Sequence, residues 1–278
     1  MNYKHYISAI IIAFGLLTGC EQDNGLVNID RIPKSKVVDY DDEIKPVVNV
    51  SYEELDALYQ LPKSSVTISE KIVLPKFEGD RSLQIFASNL VVDYFEMLLL
   101  SEKSNINIYA KERMQKALHK HMDNMKEDYS GGLTLKQHKW FGNYNSNVNI
   151  NNDRYLGITL TYSNYYGGAH GMHGTKYILI ERKTLKPVEI NKVVKDRAKA
   201  KGVIEKYFNS YLKNNEIKRS DLFLENGEYY LTNNFTVRND SMVFNHHVYE
   251  IAPYYLGEIE FSVPLSELKP YLKQDLGL

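Results

Sequence analysis

Asn145-Ser146-Asn147-Val148-Asn149-Ile150-Asn151, followed by Leu156-Gly157-Ile158-Thr159-Leu160-Thr161-Tyr162, decides the fold. Asn145, Asn147, Asn149 and Asn151 alternate with Ser146, Val148 and Ile150. Leu156, Ile158, Leu160 and Tyr162 then alternate with Gly157, Thr159 and Thr161. Successive strand side chains point to opposite faces. Period two with one polar row therefore predicts antiparallel strands with one face covered and the other in water. Solvent-facing strand positions account for the asparagine row; a calcium or sugar ladder is the sharper alternative. Downstream, Tyr177-Ile178-Leu179-Ile180 reads as another strand, and Lys183-Thr184-Leu185-Lys186-Pro187 turns the chain toward Val188-Glu189-Ile190. Residues 194–213 carry an apolar helical face of Val194, Ala198, Ile204, Phe208, Tyr211 and Leu212. Phe235-Thr236-Val237 and Met242-Val243-Phe244 flank the turn Arg238-Asn239-Asp240-Ser241, which predicts a hairpin. A last strand spans 258–263 and leads into Pro264-Leu265-Ser266-Glu267-Leu268.

Upstream the period changes to that of a helix. Leu83, Phe86, Leu90, Tyr94 and Leu98 recur at helical spacing, and so do Met114, Leu118, His121 or Met122, and Met125. The methionines at this spacing predict a core face more than a ligand groove. Before them, Val66 to Leu74 reads as a strand ended by Pro75. Ser51-Tyr52-Glu53-Glu54 has the form of a capping box opening a short helix to Gln60. Helices and strands are segregated along the chain, so the fold class is α+β, with antiparallel sheets packed against amphipathic helices.

The chain has 278 residues, 34 Lys plus Arg and 35 Asp plus Glu, so no charge excess points to nucleic acid. One cysteine excludes an internal disulfide, a CxxC pair and a multi-cysteine zinc site. The 22 tyrosines suit strands and recognition surfaces, since each offers apolar area and a hydroxyl. The first residues read as an address: Lys4, an apolar run from Ile7 to Leu17, then Leu17-Thr18-Gly19-Cys20. That run is too short for a spanning helix, which needs about twenty residues, and its end has the form of a bacterial lipobox. Residues 1–19 are expected to be a lipoprotein signal peptide, with the thiol of Cys20 accepting diacylglycerol. Removing Lys4 with that leader leaves 33 basic against 35 acidic residues. Residues 20–46 read as a lipidated tether, 47–142 as an N-terminal α+β part and 143–278 as a second domain. Glu21 after Cys20 is the default outer-membrane signal, so the body is expected in the cell envelope, lipid-anchored and facing the periplasm.

Two motifs carry a family likeness. Tyr165-Tyr166-Gly167-Gly168-Ala169-His170-Gly171 and Tyr249-Glu250-Ile251-Ala252-Pro253-Tyr254-Tyr255-Leu256-Gly257 lie about eighty residues apart. Together they resemble the RsiV-like extracellular domain, number 3298 among domains of unknown function, over roughly 143–272. Leu74-Pro75-Lys76-Phe77 before the Leu83 helix resembles the companion domain numbered 4163. The resemblance implies a family that includes a lysozyme-sensing anti-sigma factor, modules attached to peptidoglycan deacetylases and many lipoproteins. No sigma-binding, membrane-spanning or deacetylase segment is read here, so anti-sigma activity is not expected.

Read as chemistry, Gly167, Gly168 and Gly171 predict a tight turn or bulge. His170 either hydrogen-bonds backbone groups and holds that turn, or joins Tyr165 and Tyr166 in a recognition surface. Pro253 predicts a bend, with Tyr249 and Glu250 pairing with the glycine turn. His170 and His173, with His246 and His247, are the candidate metal ligands, but they lack cysteine support and a metalloprotease glutamate; neither metal nor cofactor is expected. Ser210-Tyr211-Leu212-Lys213 matches Ser-x-x-Lys in mid-helix without a partner motif. The expected function is a lipid-anchored binding protein recognising an envelope or secreted protein such as lysozyme, rather than an enzyme. The alternatives are a peptidoglycan-binding accessory lipoprotein, a periplasmic hydrolase with unannounced chemistry, and an immunity protein to a secreted toxin.

Overall fold

The computed structural model describes residues 48–60, 66–103, 109–130 and 139–273. The expected leader, Cys20 and the tether lie outside the described residues. Strands β1 (Asn49–Gln60) and β2 (Thr67–Glu78) precede helices α1 (Arg81–Leu100) and α2 (Ala110–Ser130). Then come β3 (Lys139–Asn151), β4 (Tyr155–Tyr165), β5 (Met172–Glu181) and the two-residue β6 (Lys186–Pro187). Helices α3 (Ile190–Val193) and α4 (Arg197–Asn214) lead to β7 (Phe235–Arg238), β8 (Ser241–His246), β9 (Ile259–Pro264) and α5 (Leu265–Leu268). The α+β class read from the sequence is the observed one.

β1 to β6 form one sheet in sequence order, antiparallel except for the parallel pair β2–β3. The alternation in β3 and β4 works as expected. Leu156, Ile158, Leu160 and Tyr162 face the core with Trp140 and Tyr144, while Asn145, Asn147 and Asn149 are exposed. Two of those asparagines bond to the protein itself: Asn147 accepts from the Tyr52 hydroxyl, and Asn149 donates to Thr236 Oγ1 at 2.9 Å. The core-facing row is covered by α1 and α2. Asp80 caps α1 by accepting from the Leu83 N–H at 3.0 Å. By length and hydropathy α1 is apolar enough to cross a membrane. Here, however, Leu83, Ala87, Val91, Phe95 and Leu99 are buried against the sheet, and its buried Glu96 pairs with Arg113 of α2. It is a core helix.

Two local expectations are overturned. Ser51 to Gln60 is strand, not a capped helix: β1 pairs with β2 over its whole length, from Asn49↔Glu78 to Gln60↔Thr67. Long-range pairing outcompetes the local cap, which is worth only about 1 kcal/mol. Pro75 does not end β2, which continues to Glu78. The β2–β3 ladder stops at Ile72, so the missing N–H of Pro75 interrupts no bond on that side.

The second sheet is β7–β8–β9. Its hairpin turns through Asn239 (φ 50°) and Asp240 (φ 55°), both left-handed as a two-residue type I′ turn requires. Ala200, Ile204, Phe208 and Leu212 of α4 join Phe244, Phe261 and Tyr229 in a second core. Asp196 caps α4 through the Lys199 N–H, so the helix starts three residues later than its apolar pattern suggested.

Candidate functional site

The glycine–histidine turn links β4 to β5. Gly167 (φ 89°) and Gly168 (φ 94°) reverse the chain in a region closed to β-branched residues, and the Tyr165 hydroxyl donates to Gly168 O at 2.9 Å. His170 stands exposed at the tip. Its Nδ1 lies 2.9 Å from Gly171 O, an atom that can only accept, so Nδ1 carries a proton. Nε2 then faces the Tyr249 hydroxyl at 3.3 Å, and the Tyr254 ring stacks on the imidazole with centroids 3.8 Å apart. Tyr254 also donates to Gly171 O at 2.7 Å. The two motifs therefore meet in one place. Tyr249 has a left-handed backbone (φ 66°), an unusual conformation for a bulky residue. Next to Tyr254, Tyr255 is 75% exposed.

Neighbouring Tyr166 points the other way, as alternation requires. Its hydroxyl donates to Glu70 Oε2 at 3.0 Å and receives the Tyr144 hydroxyl at 2.9 Å. Buried His121 meets the Tyr166 ring edge-on, donates from Nδ1 to Leu99 O at 2.9 Å, and brings Nε2 within 3.5 Å of Glu70 Oε1. Burial pushes the Tyr144 and Tyr166 hydroxyls up, so both remain protonated donors. Gly142 makes the space: a Cβ there would lie 2.1 Å from Glu70 Oε2 and 2.4 Å from the Tyr166 hydroxyl. Of the expected surface pair, Tyr165 lies at the turn, and the Tyr166 hydroxyl belongs to the interior.

Glu250 does not pair with the glycine turn. It accepts from His246 Nδ1 at 3.0 Å, the Tyr230 hydroxyl at 2.9 Å and the His247 N–H at 2.9 Å. Burial would raise this carboxyl, but the bond from His246, the electrostatic attraction of the neighbouring imidazoles and the His247 N–H outweigh it and hold it at about 2. A carboxyl lowered on folding contributes stability above its unfolded value near 4.5. That contribution is lost as pH falls through about 2. Glu250→Gln should thus cost about 2–3 kcal/mol at neutral pH and flatten the stability profile between those two values. Urea unfolding across a pH series checks this, and an unchanged acid limb would assign the effect elsewhere.

Sequence reasoning missed the residues joining the two sheets. Asn234 Oδ1 accepts from the Tyr177 N–H at 2.7 Å, and Nδ2 reaches Thr175 O, Asn245 Oδ1 and His247 Nε2. Glu258 accepts both the N–H and the hydroxyl of Thr175, at 2.7 and 2.9 Å, and lies 3.5 Å from His247 Nδ1. Nothing in Thr232-Asn233-Asn234 distinguishes these amides from loop residues. Glu258 follows the second motif and was readable only as a strand start.

A carboxylate with an imidazole resembles half of an acid–base apparatus. Yet His246 is fully buried, and its Nε2 faces the buried Tyr229 hydroxyl at 3.4 Å, away from solvent. The four candidate metal ligands do not converge. His170 and His173 flank Tyr254, whereas His246 and His247 engage Glu250 and Glu258, and no group of three His, Cys, Asp or Glu side chains is placed for a metal among the described residues. Ser210 donates back to Lys206 O within α4.

Residues 191–266 match the family model described as a protein of unknown function, DUF3298, and residues 63–173 match the model described as deacetylase PdaC. The site straddles both matches, taking His170 from one and Tyr249 and Tyr254 from the other. No curated protein sequence matches the chain. Among solved structures, a DUF3298 family member from Bacteroides fragilis is similar, with TM-score 0.65 and 16% identity over 84% of this chain and 96% of that one. A DUF3298 family protein from Pseudomonas aeruginosa is similar with TM-score 0.60 and 15% identity over 82% of this chain and 96% of that one. At these identities the likeness is one of fold.

Proposed function

We propose that this DUF3298- and PdaC-like chain is a binding module of the cell envelope, anchored through acylated Cys20 at the outer membrane and facing the periplasm. Its recognition face is His170, Tyr249, Tyr254 and Tyr255. One observation carries the reading: two motifs about eighty residues apart build a single half-exposed aromatic cluster with His170 and Tyr255 open to solvent, while Glu250 and Glu258 beside it are engaged in internal bonds. Tyrosines that offer a ring and a hydroxyl on rigid backbone are the anchors protein interfaces favour. The partner proposed is an envelope or secreted protein such as lysozyme. Ring faces also suit sugars, which favours peptidoglycan as the second reading.

Pull-downs with lysozyme and with purified peptidoglycan separate the two. His170→Ala and Tyr255→Ala should leave thermal unfolding nearly unchanged, because both side chains are exposed, and should weaken capture of the true ligand about tenfold or more. Undiminished capture by both variants would remove this face from the reading, and no capture of either ligand by the native chain would remove the assignment. In the same cells, Cys20→Ser should leave the membrane fraction and lose palmitate labelling.

A further inference from the structure

The two edges of the large sheet are treated differently. At one edge, β6 has two residues and ends in Pro187, and the remaining edge of β5 is occupied by Asn234, Glu258 and the Val188 N–H. At the other edge, β1 runs for 12 residues in unbroken register, with no bulge, proline, glycine or lysine. Bulges, prolines and edge lysines are among the devices by which sheets blunt an exposed edge; the carboxylates of β1 are another, one that acts against a like-charged strand. Among the described residues, the backbone of Asn49–Tyr59 makes no hydrogen bond outside the β2 ladder. Alternate N–H and C=O groups along β1 therefore face outward unpaired.

The side chains say what fits there. β1 carries Glu53, Glu54 and Asp56 and no cation. Lys111 engages Glu53, and Lys71 serves both Glu54 and, across the ladder, Asp56, so a negative excess remains. That charge refuses a second copy. Antiparallel self-pairing centred on Leu55 sets Glu54 against Asp56, and moving the centre onto Glu54 or Asp56 sets that carboxylate against its own copy. Leu58, 76% exposed, and Tyr52, 45% exposed, lie on the same face as those carboxylates. Between β1 and α2 a hollow of about 280 Å³ is lined by the 54–56 segment of β1 and by Lys111, Gln115, Leu118 and His119.

We propose that the outer edge of β1 is a strand-addition site for an extended segment of another protein bearing Lys or Arg at alternate positions. Main-chain bonds give such a complex its affinity, and Glu54, Asp56 and Leu58 select the side chains opposite them. This surface is separate from the His170 face.

The test uses the isotope-labelled full chain and three synthetic peptides: alternating Lys and Val, the same with alternate backbone nitrogens methylated, and the same with Glu for Lys. The Lys peptide should slow hydrogen exchange of alternate β1 amides about tenfold or more. The methylated and Glu peptides should not, and the Glu54→Lys, Asp56→Lys double variant should bind the Lys peptide about tenfold more weakly. Equal binding of the methylated peptide would overturn strand addition in favour of charge attraction alone. Absence of slowing would overturn the proposal, as would outer amides already protected in the free protein, because the edge would then be covered by its own chain.

Discussion

Asn234→Ala should lower the unfolding free energy by about 3–5 kcal/mol, the largest loss expected from any single side-chain amide among the described residues. The residue is 3% exposed, and its side chain substitutes for a strand: it accepts from the Tyr177 N–H and donates to Thr175 O along the edge of β5. It also reaches Asn245 and His247 on the small sheet. Alanine leaves these groups buried without that partner, and each such group costs about 1–3 kcal/mol. Denaturant titration should show a lower midpoint with an unchanged slope, which marks lost stability rather than an altered denatured state. A loss below about 1 kcal/mol would mean that Glu258 and Thr175 hold the sheets together without it.

Arg113→Met should be comparably damaging, at about 3–5 kcal/mol. Arg113 is 5% exposed and Glu96 is 1% exposed. The guanidinium donates through Nε to Glu96 Oε2 at 3.1 Å and through Nη2 to both Glu96 and Asp93. Removing the cation strands the Glu96 carboxylate between α1 and α2. The sharper expectation is the reversal: Glu96→Leu added to Arg113→Met should recover much of the loss, because a buried pair replaced as a unit by apolar residues is often neutral. A double variant as unstable as the sum of its singles would show that the pair does more than satisfy its own burial.

The sequence was most readable where structure is local. Asn239-Asp240 between alternating strands predicts its turn, because the two residues tolerate the left-handed backbone it requires. Leu156 to Tyr162 predicts which side of β4 is buried, because period two is a property of the strand itself. Ser51 to Gln60 was misread because an edge strand buries little: only Leu55 is fully covered, so its alternation is faint and a coincidental Ser-x-x-Glu prevails. The site was legible as two motifs but not as one place. The contact of His170 with Tyr249 and Tyr254 depends on how two sheets meet, and so do the inward direction of the Tyr166 hydroxyl and the roles of Asn234 and Glu258. None leaves a periodic trace.

The parallel pairing of β2 with β3 has a consequence for how the chain is made. The whole stretch from 79 to 138, including both long helices, separates two strands that end as neighbours. Synthesis delivers the β1–β2 hairpin and the helical pair first, and the inner edge of β2 has no mate until Lys139–Tyr144 exists. A partly made chain therefore presents two open strand edges where the finished one has a single long one. Closing so distant a pairing is slow, and unpaired edges in the interval invite association. The interval ends when Trp140 and Tyr144 seat beneath α1 and α2, which makes the third strand, and not the first two, the piece that commits this protein to its shape.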